Sequence, residues 1–292
     1  MESKRPMISL LIFISFIIVF NSTFAEVLMP KEGNSVKKSG ILIIDDSNCS
    51  EGYVMVKTKP TKKSLKLRVV HDSMDIHYNL NSDGKYEVFP LQDGDGKYVF
   101  TLYECVKNNS YRELNSISIF VEMPDPNRCF LYPNQYINYT PETPAVIFSQ
   151  KLCEGLADPE EKVKKIYSYI AWDEDKTETW IDENGQLNRL LVPRIESATY
   201  GLIGSLPEID RVFTTNKGAC KDVSGLMTAM LRSVGVPTKY MVGKCGFSDH
   251  AWICVMIGDK EIEMDPQDHI YDPDLEELRI HQGSGYKAER WY

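Results

Sequence analysis

Cys220 stands where a cysteine can act as a nucleophile, at the predicted first turn of a helix. Behind it the apolar residues recur at steps of three and one, which is the spacing of one buried helix face. These residues are Val223, Leu226, Met227, Met230, Leu231 and Val234. Gly235 ends the pattern, and Pro237 follows. Because unpaired amide groups and the positive end of the helix dipole favour a thiolate, the sequence predicts a reactive thiol at this position.

A base for that thiol must come from the five histidines of the chain, which are His71, His77, His250, His269 and His281. His250 opens the alternating run HAWICVMI, and Gly258-Asp259 is a typical two-residue hairpin loop before KEIEM. In such a hairpin, facing positions have numbers that add up to about 517, which puts Asp265 opposite Trp252. Asp265 is then the diagonal neighbour of His250 on one sheet face. A carboxylate there can orient the imidazole and stabilise its charged form.

Each of these three residues also has a purely structural interpretation. Cys220 could be a small buried apolar residue, His250 a hydrogen-bonded polar residue, and Asp265 a turn former before Pro266. Their order, the helix start and the hairpin geometry together favour a Cys220, His250 and Asp265 triad.

A metal site is the alternative interpretation of some residues in this segment. Cys245, His250 and Cys254 would be its ligands, but they lack the close paired spacing of zinc ligands. We therefore expect neither a metal nor another cofactor.

The segments around these residues resemble the transglutaminase-like superfamily, which is related in architecture to the papain-like cysteine peptidases. The matching segments are GAC at 218–220, GVPTKYMVG at 235–243, HAW at 250–252 and MDP at 264–266. The resemblance covers about residues 131–292. It implies that Cys220 is the nucleophile, His250 the base and Asp265 the residue that orients the base.

Two positions depart from the family pattern or map onto it weakly. Relatives often read HAWN where this chain has Ile253 after HAW, and this change touches no triad residue. Trp172 stands where relatives often carry a tyrosine, so the resemblance makes its indole N–H a candidate oxyanion donor. The backbone N–H of Cys220 is the other candidate. The calcium sites of animal transglutaminases map onto no acidic cluster of this sequence.

The implied activity is acyl transfer or hydrolysis at amides of a protein or peptide substrate, through a thioester. A cysteine peptidase or amidase of the same fold remains open. So does a surface-binding protein with an inactive transglutaminase-like domain, because fold alone does not establish activity.

The first 25 residues have the parts of a secretory signal peptide. Lys4 and Arg5 precede an apolar run from Met7 to Phe20, and cleavage is expected after Ala25. An uncleaved anchor is the alternative, but a run of about 14 residues is shorter than the roughly 18–20 that span a bilayer. We therefore expect a secreted or cell-surface protein without stable membrane insertion.

The net charge limits the classes of binding partner, and the cysteine content limits the disulfide bonds that the chain could form. The net charge of −9 argues against a nucleic-acid partner. Seven cysteines in an exported chain permit three disulfides and one reactive thiol. Their spacing shows no tight disulfide framework, and free buried thiols are the simpler interpretation.

Short strands dominate the predicted N-terminal half. Residues 26–39 lack apolar periodicity and are predicted to be a spacer, with order beginning near Gly40. Seven apolar or alternating runs follow, at 41–44, 53–57, 65–70, 76–80, 86–89, 98–104 and 116–122. Asp83-Gly84 and Asp95-Gly96 suit two-residue hairpin loops. The pattern predicts an immunoglobulin-like β-sandwich over 40–123, which also resembles the module that precedes such domains in exported proteins of anaerobic Gram-positive bacteria.

Helical signals begin after a Pro-rich linker at 124–133. Thr143-Pro144 and Asp158-Pro159 each look like an N-cap with a first-turn proline. Residues 173–205 are polar and loop-like, and form either a cleft wall or an insertion. The region from Tyr286 to Tyr292 is predicted to be a last strand. The fold class is therefore α+β, with a transglutaminase-like domain over 134–292.

Overall fold

The computed structural model describes residues 25–72, 74–198, 205–270, 274–280 and 283–292. The predicted signal peptide, apart from Ala25, lies outside the described residues. The N-terminal part is β-rich. Its strands are β1 (Val36–Ser39), β2 (Leu42–Asp45), β3 (Tyr53–Thr58), β4 (Leu65–His71), β5 (Met74–Leu80), β6 (Glu87–Pro90), β7 (Gly96–Lys107) and β8 (Ser110–Val121). All seven predicted strands are present, and β1 is additional.

These strands form two antiparallel four-stranded sheets, in the orders β1-β2-β3-β6 and β5-β4-β7-β8. Buried apolar side chains of both sheets belong to one core, and Tyr78 of one sheet meets Phe89 of the other at 5.0 Å between ring centroids. The strand order differs from that of immunoglobulin constant domains, in which the first, second, fifth and fourth strands share a sheet. The structure thus shows a β-rich N-terminal region with two packed sheets.

The predicted hairpin turns of this region are wrong. Asp83-Gly84 and Asp95-Gly96 lie in connections that pass from one sheet to the other, because β5 and β6 belong to different sheets, as do β6 and β7. The hairpin between β7 and β8 turns instead at Asn108 and Asn109, which both have positive φ, 46° and 62°. Asparagine tolerates this conformation better than most residues, so the pair can close a tight turn.

The predicted spacer is partly ordered, since β1 lies within it. Lys37 faces Ile44 across the hairpin to β2. Ahead of the strand, the backbone N–H of Gly33 donates to Asp45 Oδ2 at 2.6 Å. Regular structure therefore begins before Gly40. This strand could not be predicted from the residue pattern, because β1 is an exposed edge strand without apolar alternation.

In the C-terminal part, helices pack against a third four-stranded sheet. Its helices are α1 (Pro144–Leu152), α2 (Pro159–Ala171), α3 (Ile209–Thr215), α4 (Cys220–Ser233) and α5 (Leu275–Leu278). Its strands are β9 (Glu178–Ile181), β10 (Leu187–Leu190), β11 (Glu196–Ser197), β12 (Lys217–Gly218), β13 (Thr238–Cys245), β14 (Ser248–Ile257), β15 (Lys260–Met264) and β16 (Tyr286–Trp291). Strands β15-β14-β13-β16 form one antiparallel sheet. The prediction missed α3, α5 and the β9–β10 hairpin.

Helix α4 is the centre of this part. Helices α1, α2 and α3 contact it, and so do β13 and β14. Every residue from Asp222 to Ser233 is buried, not only the predicted apolar face. Ala251, Ile253 and Val255 of β14 belong to the same core as α4. The opposite face of the sheet holds a separate cluster that includes Met241, Trp252 and Cys254.

Arg232, at the end of α4, joins four parts of the chain. The residue is 1% exposed, and its guanidinium donates to the backbone carbonyls of Thr238 at 2.9 Å, Tyr132 at 2.8 Å and Tyr292 at 2.7 Å. Burial lowers its pKa to about 10, so it is still charged at neutral pH. These bonds satisfy polar groups that would otherwise be buried without partners.

The predicted linker is a half-buried joint between the two parts, exposed at 124–126 and buried at 129–133. A short 3-10 helix covers Arg128–Leu131, with Cys129, Phe130 and Leu131 buried. Arg128 pairs with Glu51 of the N-terminal part at 2.5 Å. The two parts share one continuous hydrophobic core. The described residues contain no helix that is both long and apolar enough to cross a bilayer, and all seven cysteines are free thiols.

Replacing Arg232 should test whether this joint holds the fold together. Arg232→Met keeps the apolar stem but leaves buried carbonyls without their donors, so we expect a loss of roughly 3 kcal/mol or more in the free energy of unfolding, measured in urea. Arg128→Met is the control, because it removes a surface ion pair and should cost under about 1 kcal/mol. Equal losses in the two variants would show that Arg232 has no special role.

Candidate active site

Cys220 is the first residue of α4, as predicted. Asp222, which is fully buried, accepts the N–H of Ala219 at 3.1 Å and that of Glu208 at 3.2 Å, which fixes the helix start. The preceding Gly218 is required by packing, since a Cβ there would lie 2.9 Å from Val212 Cγ2. The GAC segment thus places the thiol at a rigid, tightly packed helix N-terminus.

His250 lies on β14, and the predicted hairpin register is confirmed. Ile253 faces Met264, and Val255 faces Ile262, so facing positions sum to 517. Asp265 follows directly after β15 and its Oδ2 lies 2.5 Å from Nε2 of His250. The diagonal pairing predicted from the sequence is therefore present.

Two contacts bring Cys220 to His250. Ser224, one turn into α4, donates its hydroxyl to the carbonyl of Ala251 at 3.0 Å. The His250 side chain and the Ala251 backbone N–H lie on the Cys220 side of this contact as hydrogen-bond donors that lower the pKa of the thiol. Because Nε2 of His250 faces Asp265, Nδ1 is the ring nitrogen left for the thiol. The structure therefore brings all three predicted residues together.

The carboxylate of Asp265 is 4% exposed and strongly hydrogen-bonded. Oδ2 accepts from His250 and from the hydroxyl of Tyr286 at 2.8 Å, and Oδ1 accepts the N–H of Gln267 at 2.9 Å. Burial alone would raise its pKa, but these hydrogen bonds outweigh burial and lower it. Asp265 is thus an anion at neutral pH.

The groups on both sides of the His250 imidazole determine its pKa. The hydrogen bond to Asp265, followed by that to Cys220, raises its pKa to about 10 against the opposing effect of burial. Its side chain is 18% exposed. The favoured state at neutral pH is therefore an imidazolium held by a carboxylate.

Cys220 differs in its ionisation from four other thiols of the chain, Cys49, Cys129, Cys153 and Cys254. Burial acts to raise its pKa, but hydrogen bonds from His250 and from the backbone N–H groups of Ala251 and Lys221 outweigh burial and lower it. Burial raises the pKa of Cys49, Cys129 and Cys254 to about 12 and that of Cys153 to about 11. The site therefore favours the thiolate form of Cys220 beside the His250 imidazolium, at a partly exposed position.

Trp172, the predicted candidate for the oxyanion donor, makes a hydrogen bond to another part of the chain. Its Nε1 donates to the carbonyl of Ile270 at 3.1 Å, and its ring packs against His269 at 5.6 Å. The indole N–H thus already has an acceptor. This arrangement favours the other candidate, the backbone N–H of Cys220 at the helix start, as the oxyanion donor.

Sequence reasoning missed the aromatic surroundings of His250. Trp252 stacks on the imidazole at 6.2 Å, with its Nε1 bonded to Glu263 at 2.8 Å. Tyr286 meets the imidazole edge-on at 5.6 Å. The period of β14 places Trp252 on the His250 face, whereas nothing local points to Tyr286, which comes from β16. Within the described part of the chain, no group of three His, Cys, Asp or Glu side chains could hold a metal ion.

One family model matches the part of the chain that holds this site. Residues 147–266 match the model of the transglutaminase-like superfamily. That range contains Trp172, Cys220, His250 and Asp265, and it ends before Tyr286. A comparison with curated proteins returned no match.

Three solved structures are similar at low identity. A protein from Cytophaga hutchinsonii described as a candidate cysteine protease is 14% identical, with a TM-score of 0.37, covering 85% of this chain and 81% of its own. The periplasmic domain of TgpA from Pseudomonas aeruginosa is 13% identical, with a TM-score of 0.36, covering 82% and 77%. Red sea bream transglutaminase is 10% identical, with a TM-score of 0.28, covering 90% and 51%. At these scores the likenesses carry no argument about activity.

The family match at 147–266 and the geometry of this part of the chain lead to one conclusion. The chain carries a transglutaminase-like domain behind a β-rich N-terminal region.

Proposed function

We propose that this protein is a thiol-dependent acyl transferase or hydrolase that acts on amides of proteins or peptides through a Cys220, His250 and Asp265 triad. One observation carries the proposal. A thiol at a helix N-terminus has its pKa lowered by the neighbouring imidazole of His250, and that imidazole is hydrogen-bonded to a buried carboxylate. This is the arrangement of nucleophile, base and orienting group that covalent catalysis requires.

The proposed reaction has two halves. In the first, the Cys220 thiolate adds to the amide carbonyl carbon, and the C–N bond then breaks as the His250 imidazolium gives its proton to the departing nitrogen. In the second, an amine or water attacks the thioester, neutral His250 takes the proton, and the C–S bond breaks to restore the thiolate. Asp265 holds the imidazole throughout, and the Cys220 N–H faces the developing oxyanion.

The acceptor decides between the two activities. An amine gives a new amide, which is crosslinking, whereas water gives peptide cleavage or deamidation. The peptidase or amidase alternative uses the same three residues. A surface-binding protein with an inactive domain would instead retain the fold without an activated thiol.

We also propose that the protein is exported, with the β-rich N-terminal module acting as a support for the catalytic domain. The charged and apolar residues of 1–25 support export.

The mature N-terminus provides the test of export. Expression in a secreting host, followed by N-terminal sequencing of the released protein, should give Glu26 as the first residue. A protein that stays with the membrane and keeps its first 25 residues would support the anchor alternative.

Alkylation should reveal an activated thiol. Because the thiolate of Cys220 is stabilised, iodoacetamide should modify it at about pH 6, where an ordinary thiol of pKa near 8.5 reacts little. His250→Ala removes the main lowering contribution and leaves burial, which raises the pKa. The rate near pH 6 should therefore fall by a factor on the order of 100 and recover at high pH.

Mass spectrometry identifies the modified thiol in this experiment. Cys254 is the internal control, because burial raises its pKa to about 12 and it should stay unmodified. If Cys220 reacts no faster than a free model thiol and His250→Ala changes nothing, the enzyme proposal fails.

A casein-like substrate with a fluorescent primary amine distinguishes the two activities. Amine incorporation that disappears in Cys220→Ala would establish crosslinking. Chain cleavage without incorporation, equally lost in Cys220→Ala, would establish a peptidase. The thioester mechanism predicts that a single variant abolishes whichever activity is present.

A further inference from the structure

Tyr286 lies outside the family-matched residues but contacts two members of the triad. Its hydroxyl donates to Asp265 Oδ2 at 2.8 Å, the same oxygen that faces His250. Its ring meets the imidazole edge-on, with centroids 5.6 Å apart. It also packs edge-on against Trp252 at 5.3 Å.

The sheet brings Tyr286 to this point from a distant part of the sequence. In the sheet, Gly243 of β13 lies between His250 on β14 and Ala288 on β16. A Cβ on Gly243 would be 2.1 Å from the carbonyl oxygen of Lys287, so the two backbones approach closely. Because Gly243 has no side chain, β16 can lie close against β13, and this pairing places Tyr286 beside Asp265.

We propose that Tyr286 is the positioning residue of the site, which fixes the Asp265 carboxylate and, through it, the orientation of His250 toward Cys220. Tyr286 acts through Asp265 and is not itself a catalytic residue. The inference rests on the proposed function.

The chemistry of the contact fixes the direction of the hydrogen bond. Burial and the bond to Asp265 raise the pKa of Tyr286, so the hydroxyl stays protonated and donates. With the Gln267 N–H on Oδ1, the carboxylate is held at both oxygens, and it has little freedom to rotate away from the imidazole. Trp252 and Tyr286 flank the imidazole and restrict its ring as well.

Other titratable groups surround this contact. Asp268 lies in the loop that follows Asp265, and burial together with Asp265 raises its pKa to about 6. Cys245 of β13 pairs with Tyr286 across the sheet. His250 comes from β14 and Cys220 from α4. Among them, Asp265 and His250 are the groups that Tyr286 contacts.

Tyr286→Phe tests the proposal, because it keeps the ring and removes only the hydroxyl. Asp265 then loses one of the bonds that lower its pKa, and the imidazolium is held less firmly. We expect the acid limb of Cys220 alkylation, measured with iodoacetamide, to move up by about one pH unit. The rate near pH 6 should fall on the order of 10-fold, as for a lost hydrogen bond to a charged group.

Tyr132→Phe is the matched control. The Tyr132 hydroxyl donates to a carboxylate oxygen of Glu51 at 2.7 Å, a bond of the same kind far from the triad in the chain. This variant should leave the alkylation profile unchanged. Thermal unfolding of both variants checks that each is folded at the temperature of the assay.

A double-mutant cycle separates positioning from packing. In an Asp265→Ala background the hydroxyl has no carboxylate to hold, so Tyr286→Phe should have no further effect on the alkylation profile. If the same shift persists without Asp265, Tyr286 acts through packing, and the proposal is overturned. An unchanged profile for Tyr286→Phe alone overturns it too.

The alkylation profile of the wild-type protein shows whether the proposed role of Tyr286 fails alone or together with the proposed function. If wild-type Cys220 labels at low pH and His250→Ala abolishes this, the triad stands whatever Tyr286→Phe does. If wild-type Cys220 behaves as an ordinary thiol, the proposed function has failed and the proposed role of Tyr286 fails with it.

Discussion

The buried guanidinium of Arg232 is the interaction on which the architecture depends. It lies at one end of α4, and Cys220 lies at the other, so about 18 Å of helix joins the two. By donating to carbonyls of Tyr132, Thr238 and Tyr292 it fixes the C-terminal end of the helix against the joint, β13 and the last strand. Because an α-helix is stiff over this length, fixing one end also aims the other. The position of the thiol is thus set partly by contacts that lie far from it.

The charges of the site depend on which buried thiols and carboxyl groups have hydrogen-bond partners. Burial raises the pKa of Cys129 and Cys254 to about 12. Cys220 is also largely enclosed, yet hydrogen bonds from His250 and two backbone amides reverse the effect. The same balance holds at Asp265, where its hydrogen bonds outweigh burial. The fold therefore keeps a charged pair in a partly buried place by supplying a partner for each charge, as buried charges require.

Sequence periodicity predicted the parts of the site that depend on local geometry. The pairing of His250 with Asp265 followed from a two-residue turn, since a hairpin register is fixed once its loop is known. The start of α4 at Cys220 followed from helical spacing. Contacts between remote segments could not be predicted this way: the bond from Ser224 to Ala251 depends on how a helix packs on a sheet. The hairpin predicted at Asp83-Gly84 was wrong for the same reason. A turn sequence does not show whether the chain returns to its own sheet or crosses to another.

Strand β16 connects the N-terminal region to the active site. It begins at Tyr286, beside Asp265, and ends at Trp291. There the Trp291 carbonyl accepts from Gln92 of the N-terminal region at 2.5 Å, and the ring of the next residue, Tyr292, meets that of Tyr78 from the same region at 6.0 Å. The strand pairs along β13 with one irregularity between Val242 and Gly243, and the contacts at its far end help to hold the whole strand in place. The N-terminal sheets thus stabilise the position of Tyr286, so the β-rich region is part of the framework of the site and not an independent appendage.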